Sequence, residues 1–194
     1  MNHSFFALIG RMKYIARWAL MRNTHPENLA EHSHETAVIA HALALIGNRR
    51  LGKHYNAERA ALLGLYHDAP EILTGDMPTP VKYHDAEMKS AYRRVEEKAQ
   101  DSLLEKLPDD LRGDFGAILR CEDPQDGELR ALVKAADKLC ALIKCIEEEK
   151  AGNTEFIQAG RSTRRILDGL NCPEAEIFVQ EFLPAYSMTL DEQK

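Results

Sequence analysis

The sequence predicts an all-α protein, and three observations carry that prediction. Nearly every periodic segment repeats its apolar residues at helical spacing, and no segment shows the strict alternation of a half-buried strand. The segments are also punctuated by Asn, Gly and Pro where helices start or stop. With 194 residues, 44% of them hydrophobic, the chain suits one domain over 1–194 that buries roughly 70% of its unfolded surface.

Composition narrows the setting. Cys121, Cys140, Cys145 and Cys172 have no CxxC spacing, and two of them lie in a helical pattern, which predicts packed thiols in a reducing cytosol. The first residues lack a basic segment followed by a long apolar one, and nowhere do about 18 uncharged apolar residues run together. A soluble, cytoplasmic chain without a membrane partner is expected. A net charge of −6 argues against a nucleic-acid polymer as partner, while allowing a local basic pocket for a small phosphate.

In chain order, Ser4 is the expected N-cap of a first helix through about Tyr14, with Phe5, Leu8, Ile9 and Met12 as its apolar stripe. The stretch from Ala16 to Asn23 breaks the pattern and holds the sole Trp, Trp18, beside Arg17; His25-Pro26 closes it. A second helix is expected from Glu27 or Asn28 to Gly47. At 100° per residue His32 falls in line with Thr36, Ile39 and Leu43, whereas His34 and His41 fall on the far side. His34-Glu35 begins an HExxH zinc-protease pattern, but position 38 is Val38 and the next imidazole is His41, so that reading is rejected.

A third helix starts at Asn56-Ala57 and runs through Leu63 and Tyr66 into His67 and Asp68. Pro70 has no N–H to offer the Tyr66 carbonyl, so the helix kinks or ends there, beside three ionisable groups: His67, Asp68 and Glu71. Such a group on one face is costly unless a cation or hydrogen bonds compensate. Gly75, Pro78 and Pro80 make the following loop a fixed turn that can aim Asp76 and Thr79 at the same place.

The charged segment Asp85 to Leu107 reads as an outer helix with Met88, Ala91, Val95, Ala99 and Leu103 inward. Pro108 starts a short helix with Leu111, Phe115 and Ile118 inward, and residues 123–127 break the chain. The helix from about Glu128 to Lys150 has Leu132, Ala136, Leu139, Ile143 and Ile146 on one stripe, with Asp137 at its border, where a carboxylate needs a partner. Two last helices are expected over Asn153 to Leu170 and Pro173 to Ser187.

The inward candidates are His32, His67, Asp68 and Asp137. Two imidazoles and two carboxylates from three helices form an N/O donor set suited to Mn, Co, Fe or Zn, with positions left for water and a phosphate oxygen. Their order, H…HD…D, resembles the signature of the HD-domain phosphohydrolase superfamily. Arg17-Trp18, Leu20 to Asn23, Glu27-Asn28, Glu31-His32-Ser33, Tyr66 to Ala69, Glu71, Leu73 to Asp76, Pro78 to Tyr83, Lys134, Asp137 and Leu139-Cys140-Ala141 look like the bacterial 5'-deoxynucleotidases of that superfamily.

The resemblance implies a compact multi-helix HD-domain fold, a homodimer, and hydrolysis of 2'-deoxyribonucleoside 5'-monophosphates with little base selectivity. It implies one divalent metal held by His32, His67, Asp68 and Asp137, with cobalt or manganese favoured and zinc, copper or iron as further choices. Glu71 would serve the attacking water or the leaving oxygen and Arg17 would orient the phosphate, with Asp68 shared between metal and chemistry. Trp18 would crowd a 2'-hydroxyl, and Asp76, Met77, Pro78 and Thr79 would line the nucleotide pocket, with His32 and Asp137 at its metal end. Hydrolysis of a nucleoside triphosphate or an alarmone is the enzymatic alternative, and a non-catalytic helical metal-binding protein is the other.

Overall fold

Asn28 shows how local chemistry sets the architecture. Its backbone is extended (φ −113°, ψ 166°), and its side chain accepts the N–H groups of Ala30 and Glu31, while the Glu31 carboxylate accepts the Asn28 N–H. This reciprocal cap satisfies donors that the first turn would leave orphaned and starts helix α2. The computed structural model describes residues 3–82, 84–120 and 123–194, with the side chains of Thr79 and Pro80 outside that description. Expectations for Tyr83, Cys121 and those two side chains therefore lie outside the described residues.

The helices are α1 (Phe5–Ile9), α2 (Leu29–Arg50), α3 (Ala57–Tyr66), α4 (Glu71–Thr74), α5 (Thr79–Lys82), α6 (Ala86–Leu104), α7 (Asp109–Leu119), α8 (Gly127–Lys150), α9 (Ile157–Asp168) and α10 (Pro173–Glu181). Among the described residues there is no strand, only an isolated antiparallel bridge between Ala16 and Asn28. Nor is any described helix long and apolar enough to cross a membrane.

α2, α3 and α8 pack around the larger core, in which Leu43, Leu63, Leu132, Ala136, Leu139 and Ile143 are buried. Gly64 permits the closeness of the first two: a Cβ there would lie 2.9 Å from the Ala37 Cα. A smaller core gathers Phe5, Ala69, Leu103, Leu107 and Leu119, with Tyr66 and Phe115 against it. The turn that carries His67 and Asp68 links the two.

Several element boundaries differ from expectation. α1 stops at Ile9, Ser4 makes no side-chain cap, and residues Met12–Tyr14 form a separate 3-10 turn. α3 ends at Tyr66 instead of running through Asp68: the Ala69 N–H takes the Tyr66 carbonyl at 3.0 Å, tightening the turn ahead of Pro70, which begins α4. α10 stops at Glu181, where Pro184 prevents continuation and a 3-10 turn follows over Leu183–Ser187.

The inward face of α6 is also rotated. Met88 and Val95 are 40% and 47% exposed, while Tyr92 is 4% exposed. α6 packs on the short α4 and α5, and a tyrosine fits that seam because its ring lies under the Lys82 ammonium (4.3 Å) and its hydroxyl reaches Thr74 Oγ1 (3.4 Å).

Candidate metal centre

Each helix end delivers one part of the centre. His32, in the first turn of α2, is fully buried, as its place on the helix wheel requires. His67 and Asp68 follow α3. One donor atom from each of His32, His67 and Asp68 can be chosen so that all lie within 4.8 Å of one another. The His67 Nε2 is 3.0 Å and the His32 Nε2 3.5 Å from Asp68 Oδ2.

The second nitrogen of each ring explains its orientation. His67 Nδ1 lies 2.7 Å from the Gly64 carbonyl, so Nδ1 donates there and Nε2 faces inward, able to offer a lone pair once it loses its proton. That Nε2 is buried and faces Asp68 without an aligned hydrogen bond, and the Oε2 of nearby Glu71 is buried with no hydrogen-bond partner. Buried acceptors of this kind are costly unless something binds them, and an N/O set at this spacing fits a divalent cation.

Asp137, on α8, approaches His32 Nε2 at 3.3 Å but stands outside the three-residue group. Lys138 holds its other oxygen at 2.9 Å, drawing the carboxylate aside.

The charges are strongly coupled. Burial disfavours protonated His67, but Asp68 overcomes this and its pKa rises to about 9. Burial likewise opposes ionised Asp68, yet His67 brings it down to about 2. Asp137 is held well below the usual carboxylate range, despite burial, by His32 and Lys138. Glu71 goes the other way: burial, then the Asp68 charge, lift it to about 8, with Lys82 pulling partly back from 3.8 Å.

Arg17 lies at the edge of the centre, its Nη1 3.5 Å from Asp68 Oδ2. Burial disfavours its cation, but Glu27 and Asp68 more than offset this and raise its pKa. Arg17 and Trp18 open onto a cavity of about 600 Å³, which Asp76, Met77 and Pro78 also line. Among the further lining residues without an expected role, the polar ones are Lys138 on α8, and Gln158, Ser162 and Thr163 on α9. The available signal was the small, polar face of α9, with Gln158, Ala159 and Ser162 at helical spacing.

A family model described as 5'-deoxynucleotidase YfbR-like matches residues 4–186. The chain belongs to that family. A protein of Yersinia pestis (strain Pestoides F) named 5'-deoxynucleotidase is 49% identical over 192 residues, covering 99% of this chain and 96% of that protein. The same figures hold for a 5'-deoxynucleotidase of Yersinia pseudotuberculosis serotype O:3 (strain YPIII).

Solved structures agree on the fold of this YfbR-like chain. An HD-domain phosphohydrolase of Listeria innocua superposes with a TM-score of 0.80 at 23% identity, covering 96% of this chain and 90% of that one. A cyanophage S-2L HD phosphohydrolase, described as bound to dA and one catalytic Zn2+ ion, gives 0.62 at 20% identity, covering 92% and 95%. The YfbR-like chain thus has the all-α fold of these HD-domain phosphohydrolases, and its named relatives are hydrolases.

Proposed function

We propose that this single-domain chain hydrolyses 2'-deoxyribonucleoside 5'-monophosphates to deoxyribonucleosides and phosphate, with little base selectivity and with discrimination against ribonucleotides. One observation carries the reading beyond family membership. The Arg17 guanidinium touches the metal-site carboxylate Asp68 on one side and opens with Trp18 onto the 600 Å³ cavity on the other. A phosphate at the metal site is therefore within reach of a cation, and the sugar it carries enters the cavity past an indole.

Each residue has a task in this reading. His32, His67 and Asp68 would hold a metal, and Asp137, now paired with Lys138, would be the fourth ligand. The bound cation supplies Lewis acidity, acidifying water towards a pKa of about 7 and screening the phosphate charge. Arg17 grips the phosphate through its planar fork. Glu71 exchanges a proton with the attacking water or the leaving 5'-oxygen, and its unpartnered Oε2 leaves it available. Trp18 crowds a 2'-hydroxyl, and Asp76, Met77 and Pro78 contact the nucleoside with few base-specific donors.

The family resemblance points to cobalt or manganese, and the N/O donor set also accommodates zinc, copper or iron. Exposed apolar side chains on α2 (Val38, Leu45) and α3 (Leu62, Leu65) support a homodimer, and the free thiols of Cys140, Cys145 and Cys172 support a cytoplasmic location.

The test is phosphate release from dAMP, AMP and 3'-dAMP with cobalt present. Release from dAMP, slow release from AMP and none from 3'-dAMP are expected. Equal rates on AMP would remove the Trp18 assignment, and no release from any of the three would remove the enzymatic reading.

A further inference from the structure

Glu27 precedes the N-cap of α2 and was given no task by the chemistry above, yet it touches three residues that have one. Its backbone carbonyl accepts the Arg17 N–H at 3.0 Å, and the Leu29 N–H donates to the Ile15 carbonyl at 2.9 Å. This two-bond clamp fixes the residues just ahead of Trp18, whose φ of +56° is left-handed, a conformation a tryptophan keeps only where its surroundings hold it. The side chain adds the rest. Its Oε2 accepts from Trp18 Nε1 at 2.7 Å and from Arg17 Nε at 3.4 Å, while its Oε1 faces His32 Nδ1 at 3.6 Å.

We propose that Glu27 is a positioning residue whose single carboxylate ties the metal ligand His32 to Trp18 and Arg17, so that metal binding and exclusion of the 2'-hydroxyl are thermodynamically linked. The inference rests on the metal and sugar assignments of the proposed function and deepens them. For His32 to offer Nε2 to a cation, its Nδ1 must carry the proton and point at an acceptor; that Nδ1 is buried without a hydrogen-bond partner, and Glu27 Oε1, at 3.6 Å, lies just outside bonding distance, where a small shift would make it the acceptor. The other oxygen of the same carboxylate sets the indole by a charge-assisted hydrogen bond. A shift of Glu27 towards His32 on metal binding moves the Trp18 anchor with it. By reciprocity, an indole seated against a deoxyribose favours the His32 orientation that binds metal. The indole also packs at a tilt on Phe156, with ring centres 5.4 Å apart and planes 57° apart.

Trp18 is the sole tryptophan, so intrinsic fluorescence reports on it alone. The experiment titrates zinc, which is diamagnetic, into the metal-free full chain. It follows tryptophan emission, and zinc occupancy separately by competition with a chromophoric indicator. In the unmodified protein the emission changes with occupancy. Glu27→Ala binds zinc about 10-fold more weakly, and its emission no longer follows occupancy. Its dAMP-to-AMP ratio of kcat/KM falls by about 10-fold as well.

Glu27→Gln keeps an oxygen for the indole N–H but loses the charge facing His32. It regains most of the sugar discrimination while zinc stays weakened, and it serves as the test if Glu27→Ala fails to give the normal helical circular dichroism. The proposal is overturned if folded Glu27→Ala leaves both quantities within about twofold of the parent, or if only one of them moves. It is overturned equally if emission ignores zinc that the indicator shows to be bound. His67→Ala binding zinc as tightly as the parent would instead overturn the metal-site assignment, and the coupling with it.

Discussion

Two of the carboxylates on helix α8, Asp137 and Glu148, stand about three turns apart and live in opposite circumstances. Glu148, 1% exposed, is fully engaged. It accepts from the Thr24 N–H (2.9 Å), the Thr24 hydroxyl (2.6 Å), the His25 N–H (3.2 Å), Asn153 Nδ2 (2.8 Å) and the Lys144 ammonium. Asp137 sits in a cluster where the inward His67 Nε2 has no aligned hydrogen bond and the Glu71 Oε2 finds no partner. Both clusters are charged and largely buried. The difference is satisfaction: the Glu148 cluster has spent its hydrogen-bonding capacity within the chain and fastens the loop after Trp18 onto α8, whereas the Asp137 cluster keeps capacity for something that arrives from outside.

The comparison breaks most visibly in turnover. His67→Ala or Asp137→Ala should lose metal, and dAMP hydrolysis should become undetectable even with cobalt added. Glu71→Ala should keep its metal, as measured by equilibrium dialysis, while turnover drops about 10²- to 10⁴-fold, the usual worth of a proton-transfer group. If Glu71→Ala releases the metal, Glu71 belongs with the ligands and its proton-transfer role is lost.

Stability should respond in the reverse sense. Glu148→Ala strands the Lys144 ammonium and the Thr24 and His25 amides, so about 3–5 kcal/mol of destabilisation is expected in denaturant unfolding. At a temperature where the variant is folded it should still bind metal. A loss under about 1 kcal/mol would mean that the loop needs no such anchor. Metal itself stabilises only through the other cluster: at about 100 times its dissociation constant it adds about 2.7 kcal/mol, a rise of roughly 5–10 °C in Tm. Glu148→Gln should show this rise and His67→Ala should not.

The sequence shows these two clusters unequally, for physical reasons. His32, His67 and Asp68 are readable because helical periodicity places His32 inward and Pro70 marks the helix end at which His67 and Asp68 emerge. Glu148 is invisible as a hub because its partners Thr24 and His25 lie more than a hundred residues away in a loop without period. Glu27 is hidden for a related reason: the left-handed backbone of Trp18 is imposed by tertiary contacts, not by residue type. Periodicity finds a stripe on α6 but not the neighbour that covers it, hence Tyr92 in place of Met88 and Val95. The α9 wall of the cavity uses Gln158 and Ser162, which read as ordinary surface residues until α8 is set beside them.

The smallest expected effect is a difference in acid sensitivity. Burial pushes the Glu148 pKa up, but Lys144, Thr24 and Asn153 together hold it well below the ordinary 4.5. A carboxyl depressed in the folded state contributes stability that is complete above its unfolded pKa and lost as pH falls towards the folded one. The contribution is therefore flat from neutrality down to about pH 4.5 and declines below that. Thermal melts at about pH 6 and about pH 3 should show a larger drop in Tm for the parent chain than for Glu148→Gln, which has no carboxyl to protonate and starts from a lower Tm. The other acids titrate in both proteins, so the difference between the two drops isolates Glu148. Equal drops would mean that the anchored carboxylate keeps an ordinary pKa, and the Lys144 and Thr24 contacts would then be worth far less than their number and burial imply.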